Sequence, residues 1–229
     1  AGDRTDKGLA AIFCGYPSQP VKGILLDPSK WDALHQQFLP AEFVKQGYNT
    51  NFYYGGDPDF ANMGTFLKFV GFQNIKTYPN SADSKWGVND KTMSKLVLND
   101  ITHLPQPFFA AWLMLSSHEP YDVVDNQDLP EDEKLKLSIR YSDAALGKLV
   151  EGLKLANLYD STVIVVVSDH SKSVGLPVTE DYEQEFFRIP LMITGGPIRD
   201  MYRGVAPHLI VSQTDIYATL TEQLLGNTA

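Results

Sequence analysis

The sequence predicts an α/β fold, with a doubly wound, mainly parallel sheet and helices on both faces. Two observations carry that reading. Helix-periodic and β-prone segments alternate along the 229 residues with short connections, and no repeat or low-complexity tract interrupts them. Residues 162–167, Thr-Val-Ile-Val-Val-Val, form a β-branched run apolar on both faces, which marks a central parallel strand covered on each side by helices.

The elements follow in order. Residues 9–14 read as a helix with no strand before Thr5. Because a parallel α/β domain ordinarily starts on a buried strand, the expectation is a single-domain piece of a longer polypeptide, 1–229, truncated at the N-terminal strand. Residues 31–46 read as a helix with Ser29 as N-cap and Gly47 as its left-handed stop, kinked or split by Pro40. Residues 48–54 are β-prone and end in Gly55-Gly56-Asp57, after which Pro58 opens a helix as an N1 proline, closed by Gly71. A short strand is expected at 72–75, a helix at 90–101, an apolar strand at 108–115 and the longest helix at 131–156. Beyond the 162–167 run comes a strand at 189–194. The last helix starts at Ser212, with Asp215 as a capping-box partner and Gly226 as the stop.

Composition narrows the function. Hydrophobic residues at 43%, charged residues at 21% and aromatics at 11% exclude a disordered chain or a coiled coil. Nineteen Lys plus Arg against 28 Asp plus Glu leave a net charge of −9, which argues against a nucleic-acid binder while allowing a local basic pocket for a phosphate. No apolar stretch reaches the roughly 18 residues that a membrane span needs, so these residues are not expected to cross one. The one cysteine, Cys14, permits no internal disulfide and no Cys-based zinc cluster.

In open parallel sheets, ligands bind beyond the carboxyl ends of the strands. Three polar clusters fall there: Tyr54-Gly55-Gly56-Asp57, Ser116-Ser117-His118 and Ser168-Asp169-His170. Asp169 and His170 offer a hard oxygen and an imidazole nitrogen to one divalent cation, or else Asp169 caps the next turn and His170 fills a surface gap. His118 taken alone reads as a structural histidine, and Asp57 as the cap of the Pro58 helix. Thr5 is either a helix N-cap or a metal-activated alkoxide at a helix N-terminus that receives a phosphoryl oxygen. Cys14 lies in an apolar run and lacks the Cys-x-Pro-x-Arg context of a formylglycine precursor.

The whole chain resembles the lipoteichoic acid synthase-like branch of the alkaline phosphatase/sulfatase superfamily. The matching segments run from Arg4-Thr5-Asp6-Lys7-Gly8 and Gly15-Tyr16-Pro17 through Gly47-Tyr48-Asn49-Thr50 and Leu115-Ser116-Ser117-His118-Glu119-Pro120. They continue with Arg140-Tyr141-Ser142-Asp143, Ser168-Asp169-His170 and Ser212-Gln213-Thr214-Asp215. The resemblance implies an enzyme in which Thr5 ligates a divalent metal, Mn with Zn, Ca or Mg as alternatives, and becomes covalently loaded with a phosphoryl group. It makes Asp169 and His170 metal ligands and His118 the histidine that contacts the transferred group. The remaining acidic ligand would lie upstream of Ala1. A phospholipid head-group donor of phosphoglycerol or phosphoethanolamine type and a glycan or lipid acceptor are implied. So is an extracytoplasmic location in a bacterial envelope, anchored in the membrane by segments outside this chain. The stretch 54–63 lacks the basic and indole side chains of the family's head-group site, which leaves Asp57 there, and Lys172 after His170, as candidate substrate contacts. Alternatives are a phosphodiesterase, a sulfate-ester hydrolase, or a non-catalytic domain that binds lipid or protein.

Overall fold

A computed structural model describes residues 2–19, 23–34, 37–78, 83–172 and 184–226. Helix α1 (Thr5–Cys14) turns Leu9, Ala10 and Phe13 inward and ends on Gly15. The predicted 31–46 helix is split, as Pro40 requires. A 3-10 helix covers Pro28–Leu34, and α2 (Leu39–Lys45) starts afresh with Pro40 in its first turn, where no N–H is needed. Ser29 does not cap: its hydroxyl donates to Asp27 Oδ1 at 2.5 Å. Gly47 and Gly226 take the left-handed conformation expected of helix stops, with φ of 81° and 69°.

Strand β1 (Asn49–Tyr54) pairs in parallel with β2 (Asn74–Thr77) on one side and β3 (Phe108–Leu113) on the other, giving the order β2-β1-β3. Between β1 and β2, Pro58 opens a turn and not a helix. Asp57 Oδ1 accepts the Asp59 N–H at 2.9 Å, and Ala61 and Asn62 have φ of 52° and 59°, so α3 (Met63–Phe69) begins five residues after Pro58. The Asp57 side chain offers the backbone a local alternative to the helix. Helix α4 (Asp90–Ile101) is capped by Asn89, which accepts the Thr92 N–H, and α5 (Glu131–Leu155) is the longest element.

The 162–167 run folds as β4 (Val163–Val167), but its partner β5 (Leu191–Gly195) runs antiparallel, with Val165 opposite Ile193. This corrects the expectation of a central parallel strand. The apolar run reports that both faces are covered, not which way the neighbour runs, and coverage is what the structure shows. Val165 and Val167 pack against the core cluster to which α1, α2, α3 and the final helix α6 (Asp215–Leu225) contribute, while Ile164 packs against the cluster to which α4 and α5 contribute. Phe52 and Tyr54 on β1 take the first side and Tyr53 the second. The doubly wound α/β reading holds. β1 is buried from Thr50 to Tyr54, whereas every residue of β3 and β4 is half-buried, and those two strands pair with each other nowhere among the described residues.

Candidate active site

The site forms where the start of α1 meets the end of β4. Gly2 makes a parallel bridge to His170. Gln213, in the turn before α6, donates to the carbonyls of Ser168 (2.9 Å) and Asp169 (2.7 Å) and accepts the Gly2 N–H at 3.3 Å. Gly8 lets α1 approach closely, since a Cβ there would lie 2.2 Å from the Asp169 carbonyl oxygen. These contacts bring together residues 164 apart in sequence: Thr5 Oγ1 donates to Asp169 Oδ2 at 2.6 Å. Thr5 is the first helical residue and Arg4 occupies the cap position, so the Thr5 hydroxyl is spent on Asp169 and not on capping.

His170 stands beside this pair, with Nε2 3.7 Å from Asp169 Oδ2. Its Nδ1 meets the Ser171 carbonyl at 2.7 Å, and a carbonyl only accepts, so Nδ1 carries the proton and Nε2 keeps its lone pair. The Asp169 and His170 side chains are both 24% exposed, enough for a ligand to reach them. A hydroxyl, a carboxylate and an imidazole nitrogen with a free lone pair make a chemically sound donor set for Mn or Zn, though a partial one. Among the described residues no three His, Cys, Asp or Glu side chains gather to hold an ion.

Tyr54 ends β1 on the same side. Burial, reinforced by the Asp57 and Asp169 carboxylates, pushes its phenol up to about 12. Asp57 thus shares the Tyr54 phenol with Asp169 as an electrostatic neighbour, and its Oδ1 is occupied by the Asp59 N–H.

His118 lies in the loop after β3, and Asp90 sets that loop by accepting the N–H groups of Leu115 (2.8 Å) and Ser116 (3.2 Å) and the Ser142 hydroxyl (2.6 Å). His118 Nδ1 bonds the Glu119 carbonyl at 2.8 Å. Lys172 joins this loop to the one after β4: its ammonium lies 2.8 Å from Glu119 Oε2. That bond and charge hold the Glu119 carboxyl below its ordinary value, and the same hydrogen bond raises the Lys172 ammonium. Ser173, part of the same predicted turn, lies outside the described residues.

Two residues of the site escaped the sequence reading. Gln213 was visible only as part of a matching segment. Trp86 places an indole against His118, with ring centroids 4.9 Å apart, although the 54–63 stretch holds none. A Lys-Trp-Gly triplet just before the Asn89 cap was the available signal. Cys14 is a core residue, 4% exposed, its thiol pushed up to about 12 by burial and so poor as a nucleophile.

Comparisons with known proteins bear on the family and the fold. The family model described as Sulfatase matches residues 1–226. Lipoteichoic acid synthase 1 of Bacillus subtilis is 27% identical over 183 residues, covering 69% of this chain and 28% of that protein. Phosphoglycerol transferase I of Xanthomonas axonopodis pv. citri is 28% identical over 190 residues, covering 72% of this chain and 26% of its own length. The crystal structure of a protein in the alkaline phosphatase superfamily from Vibrio parahaemolyticus superposes with a TM-score of 0.77 at 28% identity, over 96% of this chain and 54% of that one. The chain thus spans little more than a quarter of the curated relatives it matches here.

Proposed function

The chain belongs to the sulfatase family, and from that premise we propose that it carries the catalytic site of an enzyme transferring a phosphoryl-linked head group, of phosphoglycerol or phosphoethanolamine type, from a lipid donor to a glycan or lipid alcohol. The observation that carries this reading is the 2.6 Å hydrogen bond from Thr5 to Asp169. It supplies a hydroxyl nucleophile with an adjacent proton acceptor at the mouth of the sheet.

In the first half-reaction Thr5 Oγ1 bonds to phosphorus while the bond from phosphorus to the lipid alcohol oxygen breaks. The Thr5 proton passes to Asp169, and the departing alkoxide takes its proton from solvent. In the second half-reaction an acceptor hydroxyl gives its proton to His118 Nε2 and its oxygen bonds to phosphorus. Thr5 leaves with its proton restored from Asp169, and His118 returns its extra proton to solvent. Thr5, Asp169 and His170 would hold a divalent cation, Mn or one of its alternatives, which when bound neutralises phosphoryl charge and acidifies a coordinated hydroxyl. Asp57 and Lys172 border the substrate, with Lys172 acting through its partner Glu119. A lipid donor and a glycan or lipid acceptor go with an extracytoplasmic, membrane-held position in the bacterial envelope, with the membrane anchor in segments outside this chain. Water in place of the alcohol acceptor makes the same site a phosphodiesterase. The buried Cys14 speaks against formylglycine-type sulfate-ester hydrolysis.

The test uses the full-length protein, Mn and a phosphatidylglycerol or phosphatidylethanolamine donor in vesicles. Intact-mass and peptide analysis should find the head-group phosphoryl mass on the Thr5 peptide, and Thr5→Ala should abolish both adduct and diacylglycerol release. Turnover that persists in Thr5→Ala, or wild-type protein that neither binds the cation nor forms an adduct, overturns the reading.

A further inference from the structure

We infer that Trp86 is a positioning residue: through the Glu119 carbonyl it fixes His118 as the Nδ1–H tautomer and leaves Nε2 as the atom that faces substrate. Its place in a reaction rests on the head-group transfer reading above. The tautomer itself does not.

A backbone carbonyl oxygen has two lone pairs and no proton to give. The Glu119 carbonyl receives Trp86 Nε1 at 2.6 Å and His118 Nδ1 at 2.8 Å, so both lone pairs are engaged and His118 must carry its proton on Nδ1. An indole nitrogen is donor-only, so it cannot exchange roles with the imidazole. It holds the carbonyl in the orientation that His118 requires.

The rings reinforce this. The indole meets the imidazole at 63° with centroids 4.9 Å apart, which limits rotation of the His118 ring about its own axis. Phe60 packs on Trp86 at 6.1 Å and 69°, and the Lys85 ammonium lies 5.4 Å from the indole centroid. The backbone just before Trp86 is anchored to the same loop, where the Lys85 N–H donates to Asp122 Oδ2 at 2.6 Å, and the Glu119 side chain is itself held by Lys172 at 2.8 Å. Trp86 thus belongs to a segment tied to the His118 loop by backbone, ring and N–H together. A residue that served packing alone would need only the ring. The N–H aimed at the carbonyl that His118 uses is the additional feature.

Trp86→Phe keeps a ring and removes the donor. The measurement is the two-bond proton–nitrogen spectrum of 15N-histidine-labelled full-length protein, with the His118 signals assigned by difference from His118→Asn. Wild-type protein is expected to show the Nδ1–H tautomer. In Trp86→Phe the population should move toward Nε2–H, and kcat for head-group release should fall about tenfold, the effect of one ordinary hydrogen bond, while KM stays within about twofold.

An Nε2–H tautomer in the wild type overturns the inference whether or not the variant folds. So does an unchanged tautomer in a folded Trp86→Phe. If the wild type turns over no lipid donor while the tautomer moves as expected in Trp86→Phe, the head-group transfer reading falls and the Trp86–Glu119–His118 relay stands.

Discussion

Asp90 and Ser116 bond each other twice: the Asp90 N–H donates to Ser116 Oγ at 2.8 Å, and the Ser116 N–H returns to Asp90 Oδ2 at 3.2 Å. Asp90 is fully buried and also accepts from Leu115 and Ser142, so one carboxylate ties together the start of α4, the middle of α5 and the loop that carries His118. Asp90→Ala leaves those buried donors unpaired and is expected to lower stability by about 3 kcal/mol. Urea unfolding measures that loss, and a fall in turnover in the surviving folded fraction would show that the His118 loop has shifted.

Gly8→Ala tests the approach of α1 to the end of β4. Its methyl group would enter at 2.2 Å from the Asp169 carbonyl oxygen, against main chain and not a flexible side chain. The variant should lose about 2 kcal/mol to overpacking and, because Thr5 is pushed off Asp169, much of its rate of Thr5 loading. Thermal unfolding and adduct formation report the two effects separately.

Asp100 predicts a pH response away from the site. Burial alone would raise its carboxyl, but the Lys76 ammonium and the Tyr53 hydroxyl outweigh it and hold the group below its ordinary value. A carboxyl lowered in the folded state contributes its full stability above the unfolded value, about 3.9, and loses it as pH falls through the folded value. Asp100→Asn should therefore lower Tm near pH 7 and lose less Tm than the wild type between about pH 5 and pH 2. Equal acid slopes in scanning calorimetry would contradict this.

Cys14→Ala separates this chain's chemistry from cysteine-derived chemistry. The thiol is a packed core group, so its removal should lower stability by about 1 kcal/mol and leave turnover within about twofold. Loss of turnover with stability intact would contradict the assignment of Thr5 as nucleophile.

Much of the fold was legible because its signals are local. The 90–101 helix, the Gly47 and Gly226 stops and the Pro40 break rest on caps and backbone restrictions within a few residues. Asp215 does accept the Ser212 N–H at 2.8 Å, although regular helix begins only at Asp215. Pro58 misled because a neighbouring Asp57 side chain captured the backbone, and the sense of β5 could not be read because apolar runs report coverage and not direction. For the candidate site, the sequence pointed to residues and not to their contacts. The meeting of Thr5 and Asp169 depends on the close approach at Gly8 and on the Gln213 stitch, both long-range. Lys172 shows the limit most plainly: its charge suggested a phosphate contact, and its pairing with Glu119 across two loops had no signal in the sequence.

The unpaired sides of β3 and β4 bear on how the chain behaves in a tube. Each strand presents a row of unused N–H and C=O groups along a half-buried apolar segment among the described residues. Such an edge is a template for any strand of compatible register, including one from a second molecule. Prepared by itself and concentrated, a polypeptide of this composition has a built-in route to edge-to-edge self-association, set by main-chain pairing and indifferent to whether the Thr5 site is intact.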